Sequence, residues 1–289
     1  MKLPGSILAL ALIAASALAA VGPGELAAAR ALFDSNKLPQ ARLAFEKLEA
    51  ADPADAEVHY YLGQIALQRD DAETAVRQLE RSVALNPVVA RCHNALGDAY
   101  GRSAQKAGIF SQFGLARKSL AEYERAVSLE PNNVDFHESL FEYFMQAPKL
   151  VGGGKANAAD EAATIEKLDV TRGQRAFASL YVAEEKYDRA LAELDEVLKA
   201  APDDYVSLYQ VGRIAALSGQ HLERGLAALR RCLELAAPPD APAHAAAEWR
   251  LGNIFEKKSD PAAARAAYEA ALRLDPKFTA ASEALKNLK

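Results

Sequence analysis

The sequence predicts an all-α solenoid, about seven stacked helix–turn–helix units followed by a short capping helix. Three observations carry this expectation. A 34-residue unit, clearest at 56–89, recurs along nearly the whole chain, with Leu62-Gly63, Ala75, Leu79, Ser82 and Pro87 at offsets that reappear in the other units. Apolar residues recur at the spacing of one helix face, and no stretch alternates as a strand would. The tail, 279–289, sets Ala281, Leu285 and Leu288 beside polar Ser282, Glu283, Lys286 and Lys289, which suits the open end of a stack. A unit of this length is one helix pair, too small to bury its apolar face alone, so neighbouring pairs must pack together.

In chain order, the first unit, 22–55, carries Ala29, Leu32, Ala41, Phe45 and Pro53, and the second is 56–89. The third, 90–133, opens with Leu96, Gly97 and Tyr100 and closes with Tyr123, Ala126 and Pro131. It is 10 residues too long, which places an insertion in its first helix or its turn, between Gly101 and Lys118. The fourth, 134–170, has Leu140, Phe141, Phe144, Ala158, Ala162 and Ile165, with Val170 in the place of proline. A shorter insertion there, around Pro148 and Gly152-Gly153-Gly154, reads as a flexible loop. The fifth, 171–204, has Phe177, Ala178, Tyr181, Ala190, Leu194 and Pro202. The sixth, 205–240, has Val211, Gly212, Gly225, Leu229 and Cys232 and ends at Pro238-Pro239. The seventh, 245–278, has Leu251, Gly252, Phe255, Ala264, Tyr268, Ala271 and Pro276. Small residues let helix backbones approach, larger ones fill the grooves between pairs, and the late proline stops the second helix.

This order of large-small, Ala, aromatic, small and Pro resembles the tetratricopeptide repeat over 22–278. The resemblance implies a right-handed solenoid whose concave groove is lined by the first helix of each pair, and a protein–protein interaction role without catalysis. Carried residue by residue, the family's groove positions fall on Tyr60, Tyr61, Gln64 and Gln68 in unit two. They fall on Arg91, Asn94, Asp98 and Arg102 in unit three, and on acidic Asp135, Glu138 and Glu142 in unit four. In units five to seven they fall on Arg172, Arg175 and Ser179, then Tyr209, Gln210 and Arg213, then Trp249, Arg250, Asn253, Glu256 and Lys257.

Five cations thus share one wall with Tyr209 and the only tryptophan. Arginines supply bidentate contacts to carboxylates, and aromatics supply rigid apolar area. The candidate peptide-binding groove is therefore Arg172, Arg175, Tyr209, Gln210, Arg213, Trp249, Arg250, Asn253 and Lys257, for a polypeptide partner with an acidic or C-terminal segment. In family members that clamp a C-terminal carboxylate, Arg175, Gln210 and Arg250 would stand at three of the clamp positions, while Ser179 and Ala246 replace the other two. An enzyme or small-ligand site built from the insertions of units three and four is the alternative.

The N-terminus points to export. Lys2 precedes an apolar run from Ile7 to Leu18 that ends in Ala17-Leu18-Ala19, the layout of a cleavable signal peptide at 1–19 with cleavage before Ala20. A periplasmic or secreted body over 20–278, with 279–289 as its cap, is expected, touching membrane only during export. The mild net charge of −5, without a basic stripe, gives no reason to expect nucleic acid.

Other constellations point away from chemistry. His137-Glu138 would need a second histidine four residues on to hold zinc, and position 141 is Phe. His59, His93 and His137 share one repeat position, which marks a packing slot. Gly152-Gly153-Gly154-Lys155 lacks the hydroxyl residue of a phosphate loop, having Ala156 next, and leaves only a contact of Lys155 with a partner carboxylate to consider. Cys92 and Cys232 lie in units three and six, too far apart in a stack to bridge, and read as small packing residues. No metal, cofactor or catalytic set is expected.

Overall fold

The computed structural model describes residues 23–239 and 241–288; the expected export segment, 1–19, lies outside them. The described residues form fifteen α-helices and no strand. None of these helices is long and apolar enough to cross a membrane. The chain divides into two compact units, one ending at Leu129 and the other beginning at Glu130.

The first unit holds three helix pairs: α1 (Pro23–Asp34) with α2 (Leu38–Ala51), α3 (Ala56–Gln68) with α4 (Ala72–Leu85), and α5 (Ala90–Lys106) with α6 (Ile109–Leu129). The acidic side chains of Asp55 and Asp71 accept backbone N–H bonds at the starts of α3 and α4, satisfying donors that a helix end leaves free. The second and third pairs each close on a glycine facing a large residue. A Cβ on Gly63 would lie 2.5 Å from Leu79 Cγ, so only glycine lets α3 and α4 meet at this distance. Gly97 receives Tyr123 in the same way.

The extra residues of the third repeat do not form a loop. They lengthen α5 to 17 residues and α6 to 21, joined by Ala107-Gly108 alone. Two buried histidines bolt neighbouring pairs together. His93 Nε2 donates to the carbonyl of Pro87 at 3.0 Å, and its Nδ1 lies 2.6 Å from Glu122 Oε2. His59 does the same with Pro53 and Gln78.

The second unit holds α7 (Val134–Gln146) with α8 (Lys155–Leu168), α9 (Val170–Ala183) with α10 (Tyr187–Ala200), α11 (Tyr205–Ser218) with α12 (Leu222–Glu234), α13 (His244–Lys257) with α14 (Pro261–Leu274), and the single helix α15 (Thr279–Asn287). Its core joins Leu194, Val211, Ile214, Leu229, Cys232, Leu251 and Ile254. Gly252 faces Tyr268, and a Cβ there would lie 2.3 Å from the ring. His137 repeats the bolt, with Nε2 on the carbonyl of Pro131 at 2.9 Å and Nδ1 on Glu161.

Two expectations about the insertion after α7 need correcting. The segment is an ordered, hydrogen-bonded turn rather than a flexible loop. Lys149–Val151 form a 3₁₀ turn, Tyr143 donates to the carbonyl of Val151, and Gly154 N–H donates to Phe144 O at 2.8 Å. Gly153 lies so close to the Ala147 carbonyl that no side chain would fit. Lys155 is spent on the carbonyl of Ala183 and is not held out for a partner.

Candidate functional site

Three first helices of the second unit, α9, α11 and α13, carry the nine residues expected to bind a partner, and the structure divides them sharply. Arg172 is fully engaged. Its Nε donates to Glu138 Oε1 at 2.7 Å, and its Nη2 reaches Asp135 and the second Glu138 oxygen. Those hydrogen bonds, Glu138 foremost, hold its pKa above the ordinary guanidinium value. Arg175 leans on Asp204 at 3.5 Å, the carboxylate that also caps α11 through Ser207 N–H. Tyr209 is only 8% exposed and belongs to the core. Asn253 donates to the Tyr268 hydroxyl at 2.9 Å. Lys257 is exposed in the last turn of α13.

What remains is a cluster of Gln210, Arg213, Trp249 and Arg250. Gln210 Nε2 donates to Ser179 Oγ at 3.2 Å, which leaves its buried Oε1 an acceptor without a donor. The Arg250 guanidinium lies over the Trp249 ring at 4.1 Å, a cation–π contact, and its buried Nε has no acceptor. Trp249 is fixed from the other side by the edge of Phe278, ring to ring 5.8 Å. Arg213 is half-buried and makes no hydrogen bond or ion pair among the described residues. Burial pushes its pKa below the ordinary value, and the neighbouring Arg250 cation pushes it the same way, against weaker pulls from Tyr209 and Glu142.

The wall of the first unit contrasts with this. There Glu57 holds both Arg30 and Arg91, at 3.0 Å in the second case, and Arg91 covers the Tyr60 ring at 4.8 Å. Arg30 and Arg91 are thus neutralised within the molecule. On the second wall two guanidiniums share a desolvated corner with no carboxylate bonded to either. A cation half out of water and unpaired, as Arg213 is, is costly, and an anion brought to this corner would offer it an acceptor, while Arg250 keeps a long bond from Nη1 to Asn253 Oδ1 at 3.5 Å.

All nine residues fall on the first helices of their pairs, but the sequence does not separate spent cations from open ones. The signal was present: Asp135 and Glu138 stand one repeat before Arg172, at positions the resemblance puts on the same wall. Among the described residues no cluster of three or more His, Cys, Asp or Glu side chains could hold a metal.

A family model for the tetratricopeptide repeat matches residues 26–90, 175–223 and 214–277. No curated protein matches the chain. Among solved structures, a tetratricopeptide repeat protein from Parabacteroides merdae superposes with a TM-score of 0.68 at 13% identity, covering 91% of this chain and 96% of the other. Yeast Tom70 does so with a TM-score of 0.66 at 15% identity, covering 88% of this chain and 51% of Tom70. The Cut9–Hcn1 hetero-tetramer of APC/C gives a TM-score of 0.61 at 14% identity, covering 89% of this chain and 47% of the matched one. At such identities the likeness is one of fold. With the repeat model matching more than half of its length, the chain belongs to the tetratricopeptide repeat family.

Proposed function

We propose that this protein is an exported interaction scaffold that takes an extended polypeptide along the first helices of its second unit, anchoring an acidic side chain or a C-terminal carboxylate between Arg213 and Arg250. The family as a whole mediates protein–protein interactions, and Cut9, of similar fold, is solved in a hetero-tetramer with another polypeptide. The observation that carries the finer reading is the open corner itself: two adjacent guanidiniums with no carboxylate bonded to either. Trp249 and the Arg250 stem supply the apolar floor that makes such an anchor strong. Export rests on the Lys2 and Ile7–Ala19 pattern alone.

The test is fluorescence anisotropy of a labelled oligoglutamate peptide, with its oligoglutamine counterpart as control. Binding of the acidic peptide only, lost when Arg213 and Arg250 are both replaced by Ala, supports the reading. Equal binding of both peptides, or an unaffected double variant, refutes the anchor.

A further inference from the structure

The hairpin of α5 and α6 ends in a knob that the groove does not use. Other helices of the first unit have 12 to 14 residues, against 17 and 21 here. At about 1.5 Å per residue the surplus carries the tip roughly 5–10 Å past the ends of the neighbouring helices. Phe110, in the first turn of α6, is 98% exposed, and Ile109 beside it is 65% exposed. Phe113 and Leu115 lie half-buried behind them. A fully exposed phenylalanine at the summit of a projection needs a reason.

Charge supplies one. From 99 to 121 the chain carries Arg102, Lys106, Arg117 and Lys118 and no Asp or Glu. Arg102, exposed, is tied to the Leu67 carbonyl at 2.7 Å. Lys106 pairs with Asp70 at 2.7 Å, and Lys118 lies over the Tyr100 ring, 4.0 Å from Glu80. These last two are exposed pairs, which water screens and which a lipid phosphate can replace at little cost.

We propose that this tip docks on an anionic lipid surface. Phe110 and Ile109 enter the headgroup region, while Lys106 and Lys118 on the flanks meet phosphates. A convex knob with two apolar side chains is too small to supply the roughly 1,000 Å² that a specific protein interface buries. A planar anionic surface requires only shallow penetration and charge attraction. The contact extends the membrane encounter beyond export, contrary to the expectation from sequence, and is independent of the arginine corner.

The full chain with Trp249→Phe and Phe110→Trp places its single tryptophan at the tip, so the readout is local and blind to residues 1–19. With vesicles of phosphatidylcholine and phosphatidylglycerol, emission should shift to the blue and be quenched by brominated lipid. The shift should shrink severalfold with phosphatidylcholine alone, at high salt, or when Lys106 and Lys118 are changed to Glu. Circular dichroism checks that each variant is folded. Emission unmoved by anionic vesicles overturns the proposal. So does a photo-cross-linker at position 110 that, in envelope extract, attaches to one protein and to no lipid.

Discussion

Arg213 on α11 and Arg250 on α13 share the same wall, where the Arg250 cation adds to the cost of Arg213's charge and neither is bonded to a carboxylate. Arg172, on the neighbouring α9, is the opposite case, saturated by Asp135 and Glu138. Arginines that look alike in the sequence therefore do different work, and substitution separates them.

Replacing Arg213 with Leu should leave folding stability unchanged or slightly raised, within about 1 kcal/mol, because it relieves a repulsion and breaks no bond. It should weaken an acidic peptide on the order of tenfold or more, the worth of a charge-assisted hydrogen bond. Replacing Arg172 with Ala should do the reverse, costing about 1 kcal/mol of stability with little effect on binding. Urea titration and peptide anisotropy on the two variants check both halves.

Two helical glycines should respond to alanine with opposite signs. At Gly252 a Cβ would strike the Tyr268 ring, and overpacking of about 1–3 kcal/mol outweighs a helix-propensity gain of about 1 kcal/mol. At Gly114, in α6, no atom lies within 4 Å, so alanine should stabilise by about 0.5–1 kcal/mol. Denaturant midpoints followed by circular dichroism read the difference.

The histidine bolts should be structural. Alanine at His93 strands the Pro87 carbonyl and the Glu122 carboxylate in a site where the ring is 5% exposed, costing about 1–3 kcal/mol. His221, exposed and 3.2 Å from Asp188, should cost nothing measurable. Thermal midpoints of the two alanine variants decide the matter.

Alkaline pH should destabilise the fold. Burial pushes the Cys232 thiol from 9.0 up to about 12, and the Tyr60, Tyr205 and Tyr268 hydroxyls from 10.0 up to about 12. The folded chain thus holds protons that the unfolded chain releases first, so stability is full below about pH 9 and falls as pH rises through about 12. Urea midpoints across that window should decline steadily. Cys232, fully buried, should also resist alkylation until the chain unfolds.

The fold was legible because its signal is periodic. Leu62-Gly63, Ala75 and Leu79 recur as Val211-Gly212, Gly225 and Leu229, and Gly63 and Gly212 meet Leu79 and Leu229 in the structure. The recurring histidine slot reads as packing from the sequence, and the rings are buried. The site was legible only as a set of helix positions. Which cation is spent depends on whether a carboxylate one repeat away reaches it, as Glu138 reaches Arg172 and as nothing reaches Arg213. The insertions are legible only in part for a related reason: surplus residues between Gly101 and Lys118 reveal added length in the first helix or its turn, which does lengthen α5, whereas packing decides that α6 lengthens too and hydrogen bonding decides that the glycine segment folds into an ordered turn.

The central claim, that the Arg213–Arg250 corner anchors an acidic segment, is tested most directly through Trp249, which lies against Arg250 and is the chain's only tryptophan. Oligoglutamate titrated into the wild-type protein should change its emission saturably. The change should weaken with rising salt as charges are screened over about 10 Å at 0.1 M, and vanish in the Arg213→Ala, Arg250→Ala variant. A wild-type emission that stays constant while the peptide binds, with the double variant binding as tightly, would contradict the account.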